Sequence, residues 1–292
     1  MTESVKKYYS KVLLFGEFTV TMGYGGLAIP YCRYSGFWEY NQNKAIYQNG
    51  LEKLYSFLKN NIYLVNLYNL AGFKSDIDTG LVFSSDIPQG YGMGSSGALV
   101  AAFYDKYALY KTQEVSELRD ILAKTESAFH GLSSGIDPLV SYLNLPIEIL
   151  GTESRIITDF KIKTNGIYLI DTKIPRTTQT LITIFNKKVK SDKRFKEKIR
   201  QLGIYNQNAI EALKRGHYSD LFSWFRQISL IQYEYFSEMI PDMISKFWMD
   251  GLKSEDYYVK LCGAGGGGMM LCMPKPNMKL PDSLDGFTIL AM

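Results

Sequence analysis

A chain of mixed strands and helices, arranged in two halves, is what this sequence predicts, and three observations carry the expectation. Short apolar runs bounded by glycine or proline, such as Lys11–Phe15 and Ile167–Ile170, read as strands. Apolar residues at 51, 54, 55 and 58 follow the helical i, i+3, i+4, i+7 spacing. A glycine-rich stretch, Pro88-Gln-Gly-Tyr-Gly-Met-Gly-Ser-Ser-Gly97, lies between the strand-like run Leu81–Ser85 and a helix-like run starting at Ala98. At 292 residues the chain has room for two modest domains or one large one.

Taken in order, Lys11–Phe15 predicts a first strand, broken at Gly16-Glu17. Glycines at 23, 25 and 26 predict a turn before a second strand, Leu27–Ile29, stopped by Pro30. Residues 34–40 and 44–47 read as two further strands that pair, and Leu51–Leu58 as a helix. After the glycine loop, helices are expected over about 98–111 and 115–129, the second ending at His130-Gly131. The polar turn Ser133–Pro138 leads into a short helix through Tyr142. Weak alternation over 146–164 suggests strands, with the division between the halves placed near 155–165. Helices over about 196–215, 218–236 and 241–250 follow, and then two apolar strands, Tyr257–Leu261 and Met269–Cys272.

Composition excludes several function classes. A formal charge of +4, with no dominant basic tract, does not indicate nucleic-acid binding. The eight basic residues between Lys187 and Arg200 read as a solvated face. The N-terminus shows no apolar signal segment, and no run reaches transmembrane length, so no membrane partner is expected. Cys32, Cys262 and Cys272 are odd in number and lack metal-like spacing, which is simplest in a reduced, cytoplasmic compartment.

The glycine loop suits phosphate. Glycines at 90, 92, 94 and 97 let backbone amides turn inward, and a helix N-terminus adds partial positive charge. Ser95 and Ser96 at the helix mouth suit either a helix cap or contact with phosphate and Mg²⁺; a tight turn with an N-cap accounts for the same residues. Gly92-x-Gly94-x-x-Gly97 matches the dinucleotide fingerprint formally, but it lies far from an opening βαβ unit, and the Walker lysine is missing. Glu126-x-x-x-His130-Gly-x-x-Ser-Gly-x-Asp137 supplies two carboxylates that a folded-back chain can aim at the loop. On spacing alone, Glu126 reads first as a surface helix residue, Asp137 as a helix cap and His130 as structural, with the functional roles as the alternative. The run Cys262-Gly-Ala-Gly-Gly-Gly-Gly268 fits a close backbone approach to a ligand or another loop, or a plain hairpin turn.

Three of these stretches, Lys11-Val-Leu-Leu-Phe-Gly-Glu17, Pro88–Gly97 and Lys260–Gly268, resemble in order the three motifs of the galactokinase–homoserine kinase–mevalonate kinase–phosphomevalonate kinase (GHMP) superfamily. His130-Gly-x-x-Ser-Gly-Ile-Asp137 and Asp171-Thr-Lys-Ile-Pro-Arg-Thr-Thr178 are similar to segments of its mevalonate kinases. The resemblance implies an α+β fold of two domains, a ribosomal-protein-S5-like one over 1–160 and a ferredoxin-like one over 161–292. It implies ATP and Mg²⁺ as cofactors and a small hydroxy acid, mevalonate, as the acceptor. Phosphomevalonate, a sugar or an amino acid is the alternative acceptor, and a non-catalytic nucleotide-binding regulator the alternative role. Carried over, Asp137 and Lys11 would be catalytic. Gly90, Gly92, Gly94, Ser95, Ser96 and Gly97 would hold the nucleotide, and Ser96 and Glu126 the metal. Glu17, Phe18, Thr172, Lys173, Arg176, Gly265 and Gly266 would lie on the acceptor side. A homodimer would be in keeping with the family. Phe18 stands where mevalonate kinases often carry His, and Gly97 where they commonly carry Ala.

Overall fold

In the computed structural model, residues 5–41, 45–151, 153–158, 164, 166–175, 178–280, 283–284 and 286–292 are described. The chain opens with strand β1 (Tyr8–Phe15), a short 3-10 turn (Thr19–Met22) and strand β2 (Gly26–Tyr40). Helices α1 (Ala45–Lys59) and α2 (Leu70–Asp78) follow, then β3 (Leu81–Ser85), α3 (Ser95–Tyr107), α4 (Val115–His130) and α5 (Ile136–Leu143). Strands β4 (Ile147–Leu150), β5 (Glu153–Ile156) and β6 (Tyr168–Asp171) come next. Helices α6 (Thr178–Ser191), α7 (Lys193–Arg215), α8 (Tyr218–Tyr235) and α9 (Asp242–Ser254) lead to β7 (Tyr257–Leu261), β8 (Met269–Pro274), β9 (Ser283–Leu284) and β10 (Phe287–Ala291). Grouped helices with antiparallel pairing make this the α+β class that the resemblance implies.

Two early readings are corrected. Pro30 does not stop the second strand, because β2 continues to Tyr40 and changes partner on the way. Its far half pairs with β3, Gly36 opposite Ser85 through Tyr40 opposite Leu81, so the partner of 34–40 is not 44–47. Residues 45–47 belong to α1 instead. Tyr47 stands four residues before Leu51, and the helical spacing simply reaches further back than the run at 51–58 shows. Residue 44 lies outside the described residues. The first sheet has the order β1-β2-β4-β5, with β3 also on β2, and the second runs β7-β8-β6-β10-β9.

Contacts divide the chain into two compact units that interleave in sequence. The first takes the chain before Val12, Ile29–Pro88 and Gly94–Ile147. Its core is aromatic: Phe103 lies 4.7 Å from both Tyr68 and Phe73, centroid to centroid, and Trp38 Nε1 donates to the Ala102 carbonyl at 3.2 Å. Helix α5 is tied to β1 by Ser141 Oγ, which donates to the Tyr9 carbonyl at 2.7 Å.

The second unit takes Val12–Ala28, Gln89–Met93 and everything from Glu148 onward. Strands β7 and β8 are buried along their whole length, and Lys260 in β7 is the one charged residue in either. Phe18, Phe185, Phe195 and Phe236 form one ring cluster, with Phe18 stacked on Phe185 at 4.6 Å. The basic stretch 187–200 closes α6 and opens α7, with Asp192 capping α7 by accepting from Phe195 N. Among the described residues, no helix is long and apolar enough to cross a membrane.

Candidate active site

The glycine loop adopts the backbone its sequence requires. Gly90, Gly92 and Gly94 sit at φ of 76°, 71° and 76°, the left-handed region that side chains disfavour. Gly94 is the N-cap of α3 and offers no side chain, so no side-chain group caps the first turn of the helix at Ser95, Ser96 and Gly97. Uncapped amides and the positive end of a thirteen-residue helix are what an anion needs. Of the two readings for the serines, Ser96 does not cap: its hydroxyl donates to Glu126 Oε1 at 2.8 Å.

Glu126 is not a surface residue; it is 4% exposed on α4. Ser133 Oγ donates to its second oxygen, Oε2, and is itself held by the Gly135 amide at 3.0 Å. Burial, and then the charge of Asp137, push the Glu126 carboxyl up to about 7 against the pull of Ser133, Ser96 and Lys11. His130, four residues on, brings Nε2 to 2.9 Å from Ser96 Oγ. Asp137 is not the cap of α5 either, since Gly135 holds that position at φ 73°. It lies in the first turn and pairs with Lys11 Nζ at 3.0 Å. Lys11 is nearly buried, while the Asp137 side chain is 30% exposed and open to a reactant.

Glycine permits this crowding. A Cβ on Gly94 would stand 3.1 Å from Lys11 Cγ and 3.5 Å from Asp137 Oδ2, and one on Gly97 would collide with the Asp137 backbone. Lys11, Gly94, Ser96, Gly97, Glu126 and Asp137 therefore gather at one point of the first unit. The sequence reading missed Ser133 and His130 as members of this cluster. The i, i+4 spacing of Glu126 and His130 was the available signal for the histidine.

Metal fit follows from the donors. Among the described residues, no group of three or more His, Cys, Asp and Glu is placed to hold a metal alone. A hydroxyl and a carboxylate, bonded to each other, suit a hard cation that takes its other ligands from phosphates and water, as Mg²⁺ does.

In the second unit, the run Gly263–Gly268 closes on protein backbone. Gly268 N donates to the Ile174 carbonyl at 2.7 Å, and Gly266 N to the Met239 carbonyl at 2.6 Å. A Cβ on Gly268 would lie 2.7 Å from Tyr91 Cα, in the stretch between Gly90 and Gly92. On the protein side, these glycines approach the backbone at Tyr91, Ile174 and Met239. Gly265 is likewise pressed against Met239, where a Cβ would meet the carbonyl oxygen at 2.5 Å. Thr172 is fully buried and donates to the Gly268 carbonyl at 2.8 Å. Lys173 is exposed, with φ 56° and its amide on Asp171 Oδ1. Glu17 is fully buried and ion-paired with Lys260, and the Phe18 ring is in the aromatic cluster. Arg176 lies outside the described residues.

With this geometry in place, comparisons with known proteins agree on the fold. Residues 53–144 match the family model of the GHMP kinases N terminal domain. The L. major mevalonate kinase solved with R-mevalonate superposes with a TM-score of 0.69 at 17% identity, over 94% of this chain and 88% of that one. Lactococcus lactis galactokinase complexed with galactose gives 0.63 at 15% identity, over 94% and 86%. Streptococcus pneumoniae phosphomevalonate kinase gives 0.64 at 12% identity, over 93% and 91%. No curated protein matches in sequence.

Proposed function

On a chain that carries the GHMP kinases N terminal domain and the fold of these kinases, we propose ATP-dependent phosphorylation of a hydroxyl on a small molecule, with mevalonate as the acceptor. The observation that carries the reading is the Lys11–Asp137 ion pair at the mouth of α3, beside a serine already bonded to a buried glutamate. Residues 1–160 and 161–292 are proposed as the family's two domains, in a cytoplasmic enzyme.

Phosphoryl transfer asks the protein for positioning and charge more than for covalent chemistry. The α3 amides at Ser95–Gly97, with Gly90 and Gly92 before them, would receive the phosphates of ATP. Ser96 Oγ and Glu126 would hold Mg²⁺, which when bound neutralises charge on those phosphates. Asp137 would accept the proton of the acceptor hydroxyl as the new O–P bond forms and the bond to ADP breaks. Lys11 keeps the Asp137 carboxylate in place and offsets charge on the moving group. The mevalonate assignment is supported by the His130–Asp137 and Asp171–Thr178 segments and by the likeness in fold to mevalonate kinases. Phosphomevalonate and sugars are the competing acceptors, and likeness in fold extends to their kinases too.

A coupled ADP-release assay over mevalonate, phosphomevalonate, galactose and homoserine tests this. Mevalonate alone is expected to drive release. Release with another acceptor would keep the kinase and replace the substrate. Binding of Mg·ATP with no release for any acceptor would leave a nucleotide-binding regulator.

A further inference from the structure

The hydroxyl of Ser96 stands between two partners, and its single proton decides the roles of both. A serine hydroxyl offers one proton and two lone pairs. The proton goes to Glu126 Oε1 at 2.8 Å, while Glu126 Oε2 accepts from Ser133. His130 Nε2 is 2.9 Å from the same Ser96 oxygen. With the serine proton given to Glu126 Oε1, a hydrogen bond from the ring to this oxygen requires a proton on Nε2.

The helix enforces this meeting. Glu126 and His130 are four residues apart on α4 and therefore share a face. Gly131, at φ 78°, ends the helix immediately after His130. His130 thus sits in the last turn, where the carbonyl end of the helix favours a ring that donates. Nothing in its burial demands this contact, since the residue is exposed and has water available instead.

We propose that His130 is a positioning residue for Ser96: its Nε2–H locks the hydroxyl rotor with the proton on Glu126 and one lone pair left for the incoming Mg·ATP. The inference rests on the kinase reading of the site. An unheld hydroxyl samples three staggered wells and has to be ordered when the ligand arrives. Partners that orient a metal ligand from behind are worth about 10- to 100-fold in metal affinity. His130 acts through a neutral, half-exposed serine, so the lower end of that range applies.

Calorimetric titration of the full chain with Mg·ATP, alongside thermal melting, tests the proposal. His130→Ala is expected to weaken Mg·ATP about tenfold, with the melting temperature unchanged. His130→Gln, whose amide N–H can reach the same oxygen, should recover most of the loss. The double variant Ser96→Ala/His130→Ala should bind no more weakly than Ser96→Ala alone. Nitrogen-15 spectra of the chain's two histidines should show His130 as the Nε2–H tautomer. Wild-type binding by His130→Ala, a further loss in the double variant, or an Nδ1–H tautomer would each overturn the assignment while leaving the kinase reading standing. A wild-type chain that does not bind Mg·ATP overturns both.

Discussion

Gly97 presents its α-carbon to the backbone of Asp137: a Cβ there would stand 2.7 Å from the Asp137 carbonyl carbon and 2.8 Å from both Asp137 Cβ and Pro138 N. Neither neighbour is the free end of a flexible chain, so a methyl group could enter only by pushing α5 away from α3. A Cβ at this position has no room. Gly97→Ala pits a helix-propensity gain of about 1 kcal/mol against an overpacking cost of about 1–3 kcal/mol. We expect a lower melting temperature and a turnover reduced at least about tenfold, as small misplacements of a reacting group cost heavily. Steady-state kinetics and thermal melting check this, and full activity with Ala would show that packing does not fix the position of Asp137.

Asp137 and Lys11 make the second prediction. Asp137→Asn keeps the shape but cannot take a proton, so turnover should fall about 10²- to 10⁴-fold. Mg·ATP affinity should remain, because the contacts proposed for the nucleotide sit on α3. Lys11→Met leaves Asp137 without its ion pair at 3.0 Å and should also lower turnover. Near-native turnover in Asp137→Asn would remove that residue from the chemistry.

The motif residues were legible in the sequence because each is tied to a local demand. Gly90, Gly92 and Gly94 are glycines because their φ is positive, and Glu126 stands four residues from His130 on α4, a helical spacing that the reading of His130 as structural left unused. Partners across long separations were not legible. Nothing around Lys260 announces that its ammonium meets a carboxylate 243 residues away. Phe18 could be read as an acceptor contact from its motif position, but its stacking on Phe185 depends on where α6 packs. The partner of residues 36–40 was missed for a similar reason: 44–47 and 81–85 are both short apolar runs, and only tertiary packing chooses between them. Helix α2 carries just two fully buried side chains, Phe73 and Ile77, too sparse a stripe to read in advance.

Glu126 should make the stability of the ligand-free protein pH-dependent. Its carboxyl rises from 4.5 to about 7, through burial first and the Asp137 charge second. The folded state therefore holds the proton more tightly than the unfolded chain. That stabilisation is fully present below about pH 4.5 and is lost as pH climbs through about 7. Glu126→Gln has no proton to lose there. Its melting temperature should lack this fall, so that its advantage over the wild type widens across the same window. Parallel melting curves for the two proteins would show that Glu126 does not titrate in that range.

Lys260 and Glu17 are both completely buried, and the ammonium spends its three protons on Glu17 Oε1, the Leu14 carbonyl and the Leu261 carbonyl, the last two at 2.8 Å. The rings of Phe15 and Phe225 stand 5.4 Å and 6.0 Å from it. Removing one charge strands the other away from water, which typically costs about 3–5 kcal/mol, whereas replacing both with apolar groups is often neutral. Lys260→Met and Glu17→Met should each lower the melting temperature sharply, and the double variant should be more stable than either. The same series separates a strut from a substrate ligand. A Glu17 that bound the acceptor would leave the double variant with a raised acceptor KM however well it folded. A Glu17 that only anchors Lys260, and through it the backbone at Leu14 and Leu261, predicts an acceptor KM restored along with stability. Complete burial of both charged groups favours the second outcome, because a carboxylate sealed in this way is already committed to its lysine.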